Sequence, residues 1–201
     1  MSPNLQIIKK AVAILKKGGV VAFPTDTVYG IGVNALNKKA VEKIYQIKKR
    51  DKNKPLIILI GRKSDARKIS HFNATAQKCG VAFWPGPLTL VLPAKKDIPK
   101  YLTSNGKIGV RMPNNKIFLS LARACKFSLA TTSANLSDGK NPTSAQEVKN
   151  NIGNKIDLII NGGRTKSSIA STVLDLAAKN PKILRQGKIT LKQIKMALSL
   201  V

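Results

Sequence analysis

Apolar residues recur along this chain in two alternating rhythms, one helical and one strand-like. Leu5, Ile8, Val12 and Leu15 fall at helical spacing, with Ser2-Pro3 before them as cap and first-turn proline and Gly18-Gly19 after them as a stop, so a helix is expected over about residues 3–17. Val20 to Phe23 reads as a strand that empties into the polar stretch Pro24-Thr25-Asp26-Thr27. Gly30 and Gly32 follow, where a positive φ or a close approach to a ligand is expected. Val41, Ile44, Tyr45 and Ile47 mark a second helix near 38–49, closed by Lys48, Lys49 and Arg50. Pro55 to Ile60 reads as a strand buried on both faces, and residues 63–82 as one or two short helices. Trp84-Pro85-Gly86-Pro87 punctuates the chain before a strand at Leu88 to Leu92; another, Lys107 to Met112, carries Arg111 at its end, and a helix near 115–125 follows. The strand Ser128 to Thr132 runs into Ser133-Ala134-Asn135, and Ser144 with Glu147 predicts a capping box for a helix near 144–151. Strands at 156–160, 171–176 and 183–184 and a last helix capped by Thr190 complete the pattern. Such alternation predicts an α/β fold with helices on both faces of a twisted sheet. Several connections are too short for parallel crossovers, so the sheet is expected to be mixed parallel and antiparallel. The 201 residues show no boundary in composition, repeat or low-complexity stretch, and a single domain over 1–201 is expected.

Composition narrows the class. A hydrophobic content of 43% argues for a globular protein, and the net charge of +27 is spread from Lys9 to Lys195 instead of forming a tail. A basic surface of this kind attracts polyanions, nucleic acid first, through contacts that weaken with salt. A lysine-rich proteome would produce the same charge with no partner. Cys79 and Cys125 lie far apart with no CxxC spacing and read as reduced core thiols. The apolar run Ala11 to Leu15 is too short for an export signal, and Leu56 to Ile60 falls far below the roughly 20 residues of a membrane span. A soluble, cytoplasmic protein without a membrane partner is expected.

Three predicted strand ends carry small polar groups: Thr25 to Thr27, Arg111, and Thr131 to Asn135. Side by side they would form a crevice at one edge of the sheet, where α/β folds bind ligands. Lys48 and Arg50 would make it electropositive, although cations at a helix C-terminus also compensate its dipole without any ligand. An arginine fork matches a carboxylate or phosphate, and hydroxyls and amides fill the remaining acceptor directions, which points to a nucleotide and a small carboxylate. Other chemistries fit poorly. Gly30 to Ala35 matches GxGxxA, but the Pro-Thr-Asp-Thr insert precedes it and no helical period follows at once. No GxxxxGK[ST] occurs, and the sole histidine, His71, stands in a polar stretch without Cys or Asp-rich spacing, reading as a surface residue. A Ser-His-Asp set or a carboxylate metal cage is therefore not expected, and a magnesium ion brought in by a nucleotide is compatible with the chain.

With these residues placed, the chain resembles the YrdC/TsaC family of threonylcarbamoyl-AMP synthases. The resemblance rests on PTDTVYGIG at 24–32, Lys48-Lys49-Arg50 as KxR, Trp84 to Thr89 as WPGPLT, Val110 to Pro113 as VRxP, Ser133-Ala134-Asn135 as SxN, Ser171-Thr172-Val173 as STV, and Leu184 to Gly187 as LRxG. It covers nearly the whole chain and implies the short, single-domain form, a YrdC-like three-layer sandwich with a large positive concave face. It further implies an L-threonine site at Thr27, Arg111, Thr131 and Ser171, with Arg111 on the carboxylate. An ATP site is implied at Lys48, Arg50, Ser133, Asn135, Asn141 and Arg185, of which Lys48, Arg50, Ser133 and Asn135 serve catalysis at the phosphates. This sequence departs from the family at Leu59, where longer relatives carry histidine, and at Lys54, where some carry asparagine. Lys107 stands for a threonine and Asn141 for a serine at implied nucleotide contacts.

The activity implied joins L-threonine, bicarbonate and ATP into threonylcarbamoyl-adenylate and pyrophosphate, the first step of threonylcarbamoyladenosine modification next to the anticodon in tRNAs reading ANN codons. No tightly bound cofactor is implied beyond Mg2+ arriving with ATP, and tRNA and a threonylcarbamoyl-transferase complex are the implied partners. The rival classes are a tRNA- or double-stranded-RNA-binding module with no chemistry of its own and a carbamoyl-transfer domain, which shares KxR and SxN.

Overall fold

The computed structural model describes residues 4–199 apart from 138 and 179. Among them, α1 (Leu5–Lys16) leads into β1 (Val21–Phe23), β2 (Gly30–Asn34), α2 (Lys38–Lys48) and β3 (Ile57–Leu59). A 3-10 turn (Lys63–Asp65) precedes the short α3 (Ala66–Ile69), then α4 (Ala74–Phe83), β4 (Leu88–Pro93) and β5 (Lys107–Arg111). The chain continues through α5 (Lys116–Ala124), β6 (Leu129–Ser133), α6 (Ala145–Ile152), β7 (Leu158–Ile159), β8 (Thr172–Asp175), β9 (Lys182–Arg185) and α7 (Leu191–Ser199).

All nine described strands join one sheet in the order β7-β1-β2-β6-β3-β5-β4-β8-β9. β1 with β7, β3 with β5 and β4 with β8 are parallel, and the other neighbours are antiparallel, so the mixed sheet is borne out. Successive side chains on a strand point to opposite faces. On one face Ala22, Ile31, Ala130, Ile58, Val110, Leu90 and Leu174 pack with residues of α2, α4, α6 and α7 in the larger core. On the other, Val21, Phe23, Leu59 and Leu129 pack with Ile8, Ala11 and Leu15 of α1 and Phe118 and Leu121 of α5. Phe23 and Phe118 meet there with ring centroids 5.1 Å apart, a tilted pair worth about 0.5–1.5 kcal/mol beyond its buried area. The third layer stops there: no described residue of β5, β4, β8 or β9 packs into this core with α1 and α5, and the uncovered part of this face is lined by polar residues such as Thr131, Arg111 and Asp175 and by Ile57, Val91 and Val173.

Several sequence expectations are corrected in detail. The Ser2-Pro3 cap lies outside the described residues; in α1 it is the Asn4 side chain that accepts from the backbone N–H groups of Gln6 and Ile7. Gly30 and Gly32 do not turn the chain. They lie inside β2, paired with β1 and β6, and their φ is not positive. A Cβ on Gly32 would stand 2.9 Å from the Phe23 ring, so Gly32 allows close packing, while Gly30 lines the open side of the sheet. In the predicted capping box the Ser144 hydroxyl does accept from Glu147 N, but the Glu147 carboxylate returns to Thr143 N at 2.8 Å, one residue before the cap. β3 is buried on both faces as expected, with Ile58 in one core and Leu59 in the other, except at Ile57, which is half-buried at the floor of the open side. Thr190 does cap α7, accepting from Gln193 N.

Candidate active site

The open part of the sheet holds a cavity of about 480 Å3. It lies on the face of the sheet instead of at one edge, because the connection from β1 to β2 folds over β5 and walls it in. The Thr25 hydroxyl shapes that connection: it donates to Val28 O at 2.6 Å and accepts from the backbone N–H groups of Thr27 and Val28. The Thr25 and Thr27 hydroxyls meet at 3.0 Å, and Tyr29 N ties the exit of the loop to Pro142 O.

Arg111, at the end of β5, is the buried cation of the site at 4% exposure. Its Nε donates to Gly86 O at 3.0 Å, Nη1 to Thr27 Oγ1 at 3.1 Å and Nη2 to Asp26 Oδ1 at 2.5 Å. Burial lowers its tendency to hold a charge; Asp26 opposes that, and Arg185 adds to it. Three of its five donors are engaged by these groups, and the fork is thus fixed before any ligand arrives.

Arg185 ends β9 and reaches back across the STV segment, with Nε on Ser171 O at 3.0 Å and Nη2 on Ser171 Oγ at 3.1 Å. The Ser171 and Thr89 hydroxyls lie 2.8 Å apart, so a relay of polar groups runs from β9 to β4 under the cavity. Partial burial and then the charge of Arg50 pull the Arg185 guanidinium below its ordinary value, which puts the two cations in each other's field. Arg50 is held from below by Lys54 O at 2.9 Å and Pro55 O at 3.3 Å. Lys107 and Asp175 pair at 2.9 Å at the far end, over a floor of Ile57, Gly109, Val91 and Val173. Burial pushes the Asp175 carboxyl up, but hydrogen bonds from Lys107 and from Ala177 N outweigh it and hold it below the usual carboxylate range.

Of the residues expected from sequence, Thr27, Arg50, Arg111, Thr131, Ser133, Ser171 and Arg185 line this one cavity. Lys48, Asn135 and Asn141 do not line it. Lys48 turns inward from the last turn of α2 and is 1% exposed, so helix-dipole compensation at the surface does not describe it. Its ammonium donates to Ser133 O at 2.8 Å, to Asn135 Oδ1 at 3.2 Å and to Asn135 O, pinning the SxN segment from behind. Asn135 Nδ2 donates to Gly139 O at 2.5 Å. Asn141 is half-buried in the segment just before Pro142. Sequence reasoning did not assign roles to Asp26, Thr89 or Asp175. Asp26 was legible as the one carboxylate within PTDT; the other two required the register of β4 against β8, which no local pattern encodes. His71 is exposed, and both cysteines are free and buried.

The sequence family described as "Sua5_yciO_yrdC: Telomere recombination" matches residues 13–187. The chain belongs to the Sua5/YciO/YrdC family. Among similar curated proteins, the threonylcarbamoyl-AMP synthase of Pyrococcus abyssi is 40% identical over 189 residues, which is 93% of this chain and 56% of that protein. The threonylcarbamoyl-AMP synthase of Bacillus subtilis is 40% identical over 200 residues, 96% of this chain and 57% of that one. This chain therefore spans little more than half the length of these two relatives. The crystal structure of P. abyssi Sua5 complexed with L-threonine superimposes with a TM-score of 0.93 at 38% identity, covering 96% of this chain and 58% of the other. Family membership fits the three-layer arrangement found here. No helix among the described residues is long and apolar enough to cross a membrane.

Proposed function

We propose that this cavity forms L-threonylcarbamoyladenylate and pyrophosphate from L-threonine, bicarbonate and ATP, a nucleotidyl transfer that opens threonylcarbamoyladenosine modification of tRNA. The observation that carries the reading is the convergence of Arg50, Arg111 and Arg185 with the hydroxyls of Thr27, Thr131, Ser133 and Ser171 on one cavity. The names of the two synthases and the L-threonine bound by P. abyssi Sua5 support it.

In this reading Arg111, held by Thr27 and Asp26, takes the threonine carboxylate, and Thr131 and Ser171 orient the rest of the amino acid. Bicarbonate takes up a proton and loses water to supply CO2, and the neutral threonine amine attacks its carbon and gives up a proton to leave a carbamate. A carbamate oxygen then attacks the α-phosphorus in line as the bond to the β-phosphate breaks and pyrophosphate leaves. No covalent enzyme intermediate is needed. The chain's task is to hold two anions together, with Arg50, Arg185 and Ser133 on the phosphates and Lys48 and Asn135 fixing Ser133 from behind. Asn141 belongs to the nucleotide end of this reading. Magnesium enters on the phosphates of ATP, since Asp175 in the cavity lining and Asp26 behind Arg111 are already paired with Lys107 and Arg111. tRNA and the threonylcarbamoyl-transferase complex are the partners that would follow. The test is pyrophosphate release from ATP by the purified protein: it is expected only when L-threonine and bicarbonate are both present, and release that ignores either one overturns the reading.

A further inference from the structure

A second cavity, of about 270 Å3, lies where the exit of β3 meets the turn between α5 and β6. It shares the Leu59 wall with the first, and its lining includes Arg62, Lys68, Arg123 and Lys126 against a single acid, Asp65. That acid is already committed. Its carboxylate accepts from Lys68 Nζ at 2.9 Å and from Arg62 N at 3.1 Å. The walls are drawn together by Gly61, where a Cβ would lie 3.1 Å from both Ala122 Cβ and Arg123 N, and by Arg123, whose Nε donates to Gly61 O at 3.1 Å. The exposed side chains of Arg62, Lys68, Arg123 and Lys126 therefore come from two segments distant in sequence but fixed to each other. Lys16 adds its field from the end of α1, where it acts on Cys125 in the same wall.

From this geometry we infer that the β3 exit and the α5–β6 turn form a binding site for a backbone phosphate of structured RNA, separate from the catalytic cavity. Compensation of the C-terminal dipole of α5 would account for Arg123 and Lys126, and the ion pair with Asp65 for Lys68, but neither accounts for Arg62 at the exit of β3. A fixed arginine, exposed cations around it and a concave floor suit a phosphate, and a phosphodiester backbone supplies the repeated charge that a surface of +27 favours. The inference deepens the proposal that tRNA is a partner, and rests on it.

The experiment compares binding of a labelled RNA hairpin across a salt series by three proteins: the unaltered chain, Arg62→Glu/Lys126→Glu, and Lys192→Glu/Lys195→Glu. The last pair makes the same charge change on α7, in the opposite helical layer. The pocket variant is expected to lose about tenfold in affinity and to lower the slope of log affinity against log salt by about two, while the α7 variant stays near the unaltered chain. Pyrophosphate release dependent on L-threonine and bicarbonate is expected to be unchanged in both, which separates this site from the catalytic reading. Equal losses in the two variants, no loss in the pocket variant, or no RNA binding by the unaltered chain overturns the inference. Inorganic phosphate is titrated in parallel, read by the amide resonances of Gly61 and Ser128. Saturation by phosphate without any RNA defect in the pocket variant would assign the pocket to a free anion and also overturn it. Because Arg123 supports the turn, Arg123→Gln serves as a second variant, with a smaller loss of RNA binding expected.

Discussion

Asp26 Oδ1 lies 2.5 Å from Arg111 Nη2, with both side chains almost withdrawn from water. Removing the guanidinium strands a buried carboxylate, so Arg111→Ala is expected to cost about 3–5 kcal/mol of stability in addition to its effect on substrate. Denaturant unfolding measures that loss. Arg111→Lys keeps the charge but not the fork, and is expected to remain folded with a raised KM for L-threonine. An unchanged threonine requirement in the lysine variant would remove Arg111 from the carboxylate site.

Arg50 and Lys48 separate contact from support. Arg50 lies at the cavity lining on exposed backbone carbonyls, so Arg50→Ala is expected to leave the unfolding midpoint near that of the parent and to lower kcat by about a hundredfold or more. Lys48→Met, by contrast, leaves Ser133 O and Asn135 without their buried donor. Faster amide exchange at Ser133 to Asn135 is expected together with the loss of activity, and activity lost without that loosening would count against a positioning role.

Gly187 shows how tightly the STV segment is held under Arg185. A Cβ there would lie 2.4 Å from both Ala170 O and Thr172 N, which are backbone atoms that cannot step aside. Gly187→Ala is expected to cost about 1–3 kcal/mol or more and to impair turnover by shifting Arg185 off Ser171. A melting temperature equal to that of the parent would show that the segment yields.

The carboxyl of Asp175 is held below its ordinary value through Lys107 and Ala177 N despite its burial. Folded, it stays ionised to lower pH than when unfolded. It therefore contributes stability above about pH 3.9 and loses that contribution as pH falls through the folded value. Acid unfolding followed from neutral pH downward is expected to be less steep in Asp175→Asn, whereas an identical acid limb would mean that the pair with Lys107 is worth nothing. Both thiols, by contrast, are pushed up to about 11 by burial, so neither is expected to be alkylated in the folded protein at neutral pH.

Local signals carried most of the fold. Helical spacing in α1, α2 and α5, the strand runs and the polar exits at Thr25 and Ser133 are short-range patterns, and each became an element or a wall of the cavity. Long-range register was hidden. Nothing local distinguishes Gly32 as a packing glycine until β1 brings Phe23 against it, and nothing near Lys48 says that its ammonium turns inward to Asn135. The same reason explains why the site fell on a sheet face: the sequence names polar strand ends, but only the extent of α1 and α5 decides which part of the sheet stays bare. The pairing of Asp175 with Lys107 likewise depends on β8 lying beside β4, across a long crossover.

The open half of the sheet face draws its cations from segments scattered along the chain, with Arg50 after α2, Arg111 on β5 and Arg185 on β9. Only when the last strand docks beside β8 does the third arginine join the other two. Turnover should therefore vanish in step with global unfolding instead of ahead of it, making catalysis itself a gauge of whether the whole chain has assembled.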